Sequence, residues 1–196
     1  MIYWITWFIL RVISYFLFPI KTCGRENIPQ KGGLIFASNH RSNLDPVLIP
    51  IACFRRCDFV AKDSLFKNNL FGRYLKRLGA FPIRREVGDV GALKEAIKRL
   101  KNGKAVVIFP EGTRVIEEND RQIQPGVGLI AAKAGKTIVP VFIEGSDKAM
   151  PPGAKFIKRN LISITYGKPI DAGSFKGLSY PEIATKIMRE ILKLRG

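Results

Sequence analysis

The apolar and polar positions divide the chain into two regimes. The first twenty residues, MIYWITWFILRVISYFLFPI, are almost wholly apolar, whereas from Leu34 onward short apolar runs alternate with helical patterns. The runs are Leu34–Ala37, Phe59–Ala61, Ala80–Ile83, Ala105–Phe109, Ile138–Ile143 and Leu161–Tyr166. Between them, Ser64–Leu78 and Asp89–Lys101 read as amphipathic helices; in the second, Leu93, Ile97 and Leu100 are expected to form the buried stripe, Asp89 is a candidate N-cap and Gly103 ends it. A further helix is predicted over Gly126–Lys133. The last opens with the capping-box pattern Ser179-Tyr180-Pro181-Glu182 and carries Ile183, Ile187, Ile191 and Leu194 on one face. Strands alternating with helices predict an α/β domain with a mostly parallel central sheet flanked by helices. One such domain, residues 22–196, is expected behind an N-terminal helix of residues 1–21. The loop 145–159, with Pro151-Pro152-Gly153, is the least ordered internal stretch by composition and is expected to border a membrane or a donor site.

The N-terminal run is long enough to cross a hydrocarbon core of about 30 Å. Against a crossing, Arg11 lies at its middle, and Tyr3, Trp4, Trp7 and Tyr15 are side chains that prefer the interface. On a helix, Arg11 and Ser14 share one face with Trp4, Trp7 and Tyr15 near it, while Ile5, Ile9, Ile13 and Phe16 lie mostly opposite. This pattern favours a monotopic helix in the membrane interface over a single span. It places the protein peripherally at the cytoplasmic face of the cell membrane. No basic residue precedes the run and no small-residue cleavage site follows it before Lys21, which speaks against a secretory signal.

Charge adds a second constraint. The chain carries 33 Lys and Arg against 16 Asp and Glu, a net charge of +17, in short clusters such as Arg84-Arg85, Lys98-Arg99-Lys101 and Lys155-Lys158-Arg159. Such a field attracts an anionic partner. Nucleic acid is disfavoured, because no recognisable binding motif, aromatic-basic platform or basic tail is present. A membrane phospholipid surface and acidic substrates or carriers remain. Three cysteines, Cys23, Cys53 and Cys57, with one histidine support neither a disulfide framework nor a metal site of usual spacing.

Candidate chemistry gathers at two places. In LIFASNHRSNLDP, His40 follows an apolar strand and Asp45 precedes Pro46, so Asp45 is expected to cap a helix containing Leu48, Ile49 and Ile51. On one continuous helix the two side chains would point about 140° apart, so they meet only if the segment turns. An imidazole whose one N–H is held by a carboxylate has its other nitrogen free to accept a proton. In VVIFPEGTR a strand ends in a turn presenting Glu111, Gly112 and Arg114, the position at which open α/β sheets bind ligands. Arg114 can grip a phosphate; Glu111 can hold a hydroxyl or fix the arginine. Lys62 and Arg84 end two further strands and would join Arg114 around a phosphate if those strand ends lie side by side.

These motifs together resemble the glycerolipid acyltransferase family, and within it the bacterial 1-acylglycerol-3-phosphate acyltransferases. Asn39-His40-Arg41-Ser42-Asn43-Leu44-Asp45 is similar to the family's H-x4-D block, Gly79–Arg84 to its second block, Phe109–Arg114 to its third and Val139-Pro140-Val141 to its fourth; Gly24–Pro29 resembles the start of the domain. The resemblance implies that His40 is the general base and Asp45 its orienting partner. It further implies that Arg84, Glu111, Gly112 and Arg114, with Lys62, bind the acceptor, and that the acyl group passes directly from acyl-CoA or acyl carrier protein (acyl-ACP) to lysophosphatidic acid. No cofactor and no metal is implied. The N-terminal membrane element is shorter than in relatives that carry two helices there. Other acceptors considered are glycerol-3-phosphate, a lyso-ornithine lipid and other lysophospholipids. A covalent route through Ser42, Cys53 or Cys57 is disfavoured, since Ser42 is two residues from His40 in the same turn and neither cysteine has a motif around it. A non-enzymatic, basic membrane-binding protein would account for the charge and the N-terminus but gives no role to His40, Asp45 or the PEGTR turn.

Overall fold

The computed structural model describes residues 1–84, 89–115, 119, 121–154 and 156–196; Arg85 and Lys155 of the basic clusters lie outside them. The helices are α1 (Ile2–Leu17), α2 (Asp45–Cys53), α3 (Asn69–Arg77), α4 (Val90–Lys101), α5 (Gly126–Ala134), α6 (Ser146–Ala149) and α7 (Tyr180–Leu192). The strands are β1 (Ile20–Cys23), β2 (Leu34–Ser38), β3 (Cys57–Lys62), β4 (Ala80–Ile83), β5 (Ala105–Ile108), β6 (Thr137–Glu144) and β7 (Ile162–Tyr166), in the spatial order β1-β7-β6-β2-β5-β3-β4. Every pairing is parallel except β6 with β7.

The sheet is buried on both faces because its central strands are apolar at consecutive positions. Leu34 and Phe36 of β2, with Ala105 and Val107 of β5, pack with Leu48, Ile49 and Ala52 of α2. Ile35, Ala37, Val106 and Ile108 point to the opposite face, toward α4, α5 and α7. Helix ends follow local chemistry. Asp89 accepts the Ala92 N–H at 3.0 Å, as expected of an N-cap, and Gly135 closes α5 at φ 59°. Glu182 accepts the Ser179 N–H at 2.7 Å, the return half of a capping box.

Four expectations are corrected. Ile20–Cys23 is a strand, paired in register with β7 from Ile20↔Ile162 onward; its IKTC sequence is too short and too polar to stand out. The segment expected as one helix over Ser64–Leu78 is a 3-10 turn, Asp63–Phe66, followed by α3, because Asn68 caps a new start by accepting the Leu70 and Phe71 N–H groups. In α4 the fully buried positions are Ala92, Ala96 and Leu100, with Leu93 and Ile97 at the margin, so the small residues let the helix sit close on the sheet. The loop after β6 is also more ordered than its composition suggests: it contains α6, and the Lys158 N–H donates to Ala149 O at 2.8 Å.

Helix α1 lies on the domain by its polar side. Ser14 is buried, Trp7 Nε1 donates to Pro50 O at 2.8 Å, and the Arg11 guanidinium stands over the Phe54 ring at 5.7 Å. Ile5, Phe8, Ile9, Val12, Ile13 and Phe16 are exposed. No helix among the described residues is long and apolar enough to cross a membrane.

Candidate active site

The site begins where β2 runs out. Asn39 is buried, and its carboxamide donates to Ile143 O at 2.8 Å and accepts the Ile143 N–H at 2.7 Å. This side chain continues the β2–β6 ladder beyond the last paired residue, so the backbone is free to leave the sheet at His40. The chain then turns into α2, and the turn brings His40 back to Asp45 with Nδ1 and Oδ2 2.9 Å apart. The same Oδ2 accepts the N–H groups of Arg41 at 2.7 Å and Ser42 at 2.8 Å. Asp45 was expected to be the N-cap, but Leu44 holds that position and Asp45 is the first helical residue. Its carboxylate points back into the turn because three donors converge there, and a charged acceptor gains more from them than from one helical N–H. An acceptor at Nδ1 requires the proton on that nitrogen, which presents Nε2 as the basic lone pair.

His40 is 5% exposed and Asp45 fully buried. The imidazole stacks on Phe109 at 4.1 Å between centroids and 20° between planes, which fixes the ring plane against the residue that leads out of β5. From there Pro110, Glu111 and Gly112 form a turn: the Gly112 N–H donates to Phe109 O at 3.0 Å, and Gly112 has φ +67°. Glycine is the residue that adopts this conformation without penalty, and a Cβ here would meet Gln124 Cγ at 3.0 Å. The turn returns to the histidine, since the Val115 N–H donates to His40 O at 2.9 Å.

Glu111 completes this frame. It is 1% exposed; Oε2 accepts the His40 N–H at 2.6 Å and Oε1 accepts from Arg121 Nε at 3.0 Å. Burial pushes its carboxyl above the ordinary carboxylate range, and the His40 N–H and Arg121 partly offset this. Glu111 was expected to hold an acceptor hydroxyl or to fix Arg114, and it binds the main chain of His40 and the side chain of Arg121. Both oxygens are engaged by the protein, and the arginine it fixes is Arg121. Sequence reasoning missed Arg121, which lies ten residues further along in a segment of no recognisable pattern.

The remaining candidates lie along one rim of the sheet. Strands β2, β5, β3 and β4 are neighbours and parallel, so their carboxyl ends face the same way. Lys62 is paired with Ile83, which places Lys62 and Arg84 side by side at the end of β3 and β4; both are exposed. Arg114 is half-buried at the end of the PEGTR turn. Ser42 Oγ donates to Met150 O at 2.8 Å, and Cys53 and Cys57 are buried in the α2 core, so none is presented to His40 as a nucleophile. Among the described residues no cluster of three or more His, Cys, Asp or Glu could hold a metal.

Residues 19–144 match the family model described as Acyltransferase. The chain belongs to the acyltransferase family. Within that family it is 30% identical to the 1-acyl-sn-glycerol-3-phosphate acyltransferase of Bacillus subtilis, over 88% of this chain and 84% of that protein. It is 33% identical to the enzyme of the same description from Streptococcus pneumoniae, over 86% of this chain and 63% of that one. The fold superposes on the crystal structure of the 1-acyl-sn-glycerophosphate (LPA) acyltransferase PlsC from Thermotoga maritima with a TM-score of 0.72 and 26% identity, covering 95% of this chain and 76% of that one.

Proposed function

We propose that this chain transfers a fatty acyl group from the thioester of acyl-CoA or acyl-ACP to the sn-2 hydroxyl of 1-acyl-sn-glycerol 3-phosphate (lysophosphatidic acid), forming phosphatidic acid at the cytoplasmic face of the cell membrane. The observation that carries the reading is the His40–Asp45 pair, in which one carboxylate oxygen holds Nδ1 and two turn N–H groups and so orients Nε2 outward. The names of the family members cited above supply the acceptor class.

In the proposed reaction His40 Nε2 takes the hydroxyl proton as the oxygen attacks the thioester carbonyl carbon. The tetrahedral intermediate collapses with cleavage of the C–S bond, and the imidazolium returns its proton to the departing thiolate. Asp45 stabilises the imidazolium, and a positioned base of this kind contributes about 10²- to 10⁴-fold in rate. Lys62, Arg84 and Arg114 attract and hold the acceptor phosphate. Gly112 lets the backbone approach the substrate. The internal bond of Ser42 and the burial of both core cysteines support direct transfer without an acyl-enzyme.

The attachment of α1 supports a monotopic, peripheral placement. Trp7, Arg11 and Ser14 face the domain while the apolar face is exposed, the reverse of a soluble amphipathic helix and the arrangement a lipid interface stabilises. The test is acyl transfer from a long-chain acyl-CoA to 1-acyl-sn-glycerol 3-phosphate by detergent-solubilised protein, comparing wild type with His40→Ala. Phosphatidic acid made by wild type and lost in the variant is expected. An unimpaired variant would refute the role of His40, and an inactive wild type would redirect the search to carrier-protein donors and other lysolipids.

A further inference from the structure

A second surface beside α1 has the composition of a lipid contact. Helix α3 leaves Leu70 74% exposed and Phe71 46% exposed, and Leu65 on the preceding 3-10 turn is 45% exposed. A nine-residue helix on a soluble domain is stabilised chiefly by burying its apolar side. Here the domain receives mainly Gly72, whose Cα stands so close to the Phe66 backbone that a Cβ would meet Phe66 O at 2.8 Å, together with the half-buried Tyr74 and Leu75. Leu70 and Phe71 thus face away from the core that would otherwise explain them.

The charge of the segment is equally one-sided. From Ser64 to Ile83 it carries Lys67, Arg73, Lys76 and Arg77 and no acidic residue, and all four cations are exposed. Arg73 and Arg77 line an open groove of about 650 Å³ with Asn68, Leu70, Phe71 and Tyr74, and the far wall of that groove is Ile2 of α1. Thr6 Oγ1 and Tyr74 Oη, 2.9 Å apart, tie the two helices together at this place. The groove therefore continues the exposed apolar face of α1 into a strip where apolar tips and guanidinium groups alternate.

We propose that α3 and the groove it forms with α1 are a second membrane contact, selective for anionic phospholipid. Leu65, Leu70 and Phe71 enter the acyl region, while Arg73 and Arg77 take the phosphate oxygens of anionic headgroups at the groove. The occupant is a bilayer, because apolar side chains and cations are interleaved on one short element, as an interface requires and a free anion does not. This rests on the membrane-surface part of the function proposed above and adds to it a lipid class and the residues that read it.

The test is co-sedimentation of the full chain with vesicles of phosphatidylcholine alone and of phosphatidylcholine with about one-third phosphatidylglycerol. Arg73→Gln/Arg77→Gln is expected to lower partitioning onto the anionic vesicles about 25-fold, roughly fivefold per cation, and to leave binding to phosphatidylcholine unchanged. Leu70→Ser/Phe71→Ser is expected to lower binding to both vesicle types about tenfold or more. Transfer to detergent-dispersed substrate is expected to remain at the wild-type level in both variants. If wild type binds vesicles and both variants bind equally well, the second contact is refuted while membrane attachment through α1 stands. If wild type binds neither vesicle, the membrane placement fails and this proposal fails with it.

Discussion

Replacing Glu111 with glutamine separates two roles that the residue type alone allows. Its carboxylate accepts two hydrogen bonds, from the His40 N–H at 2.6 Å and from Arg121 Nε at 3.0 Å, with almost no solvent access. A carboxamide has one acceptor oxygen, so whichever way it is turned its NH2 group meets one of those donors. A hydrogen bond to a charged group is worth about 1.5–3 kcal/mol. The expected loss of stability is about 2–3 kcal/mol, a fall of roughly 4–12 °C in Tm for a chain of this size. Because Glu111 holds the main chain of the base, kcat is expected to fall about 10- to 100-fold, the scale of catalytic misplacement by a fraction of an ångström to an ångström. KM for the acceptor should change little, since both oxygens of Glu111 are buried and already accept hydrogen bonds from the protein. Denaturant unfolding and steady-state kinetics of Glu111→Gln and Arg121→Gln, with the double variant to measure coupling, provide the assay. A large rise in acceptor KM at unchanged kcat would refute the reasoning and restore Glu111 as an acceptor ligand.

Three further outcomes follow from the same geometry. Burial raises the Glu111 carboxyl, so the stabilising effect of its protonation is fully present below the unfolded-state value and lost as pH rises through the folded-state value; over that window turnover should move oppositely, falling on acidification as the charged contacts to His40 and Arg121 weaken, and this acid limb should be absent from the Glu111→Gln profile. Asp45→Asn should lower kcat by about 10²- to 10⁴-fold, because a neutral carboxamide no longer stabilises the imidazolium and its NH2 takes the place of an Oδ1 that is buried without a partner among the described residues, as single-turnover kinetics would reveal. Ser42→Ala should cost about 1 kcal/mol by orphaning Met150 O and leave kcat within a few-fold of wild type; abolished activity in a folded variant would instead point to an acyl-enzyme.

The elements that the sequence foretold well were those whose own residues decide them. Ala105–Ile108 and Leu34–Ala37 are continuous apolar runs, and a chain that buries both faces of a parallel sheet has few other places to put them. Asp89, Gly103 and Glu182 act within one turn of themselves, so local pattern sufficed. What escaped depends on partners far along the chain. Ile20–Cys23 becomes a strand only because β7, some 140 residues later, offers an edge. Asn39 looks like an ordinary loop residue until Ile143 lies opposite it, and Arg121 acquires a role only when its side chain meets Glu111. The H-x4-D spacing announced the His40–Asp45 pair but not that Asp45 would forgo capping, since the competing donors, the N–H groups of Arg41 and Ser42, exist only once the turn is made.

The proposed reaction asks for opposite environments in its two halves, and the sheet rim offers both. Proton transfer benefits from a base whose orientation is fixed and whose surroundings are poor in water, because electrostatic stabilisation of an imidazolium by a carboxylate strengthens as the local dielectric falls. Stacking on Phe109, full burial of Asp45 and the two main-chain bonds, His40 N–H to Glu111 and Val115 N–H to His40 O, give that environment on one side. A phosphate that must arrive, be gripped and depart as part of a product is better met by cations that keep most of their hydration, since a fully desolvated pair would bind at the cost of release. Lys62 and Arg84 are exposed and Arg114 half-buried, which suits that role. The contrast follows strand order: the buried His40 and Asp45 follow the central β2, whereas the exposed Lys62 and Arg84 end β3 and β4 toward one edge of the sheet.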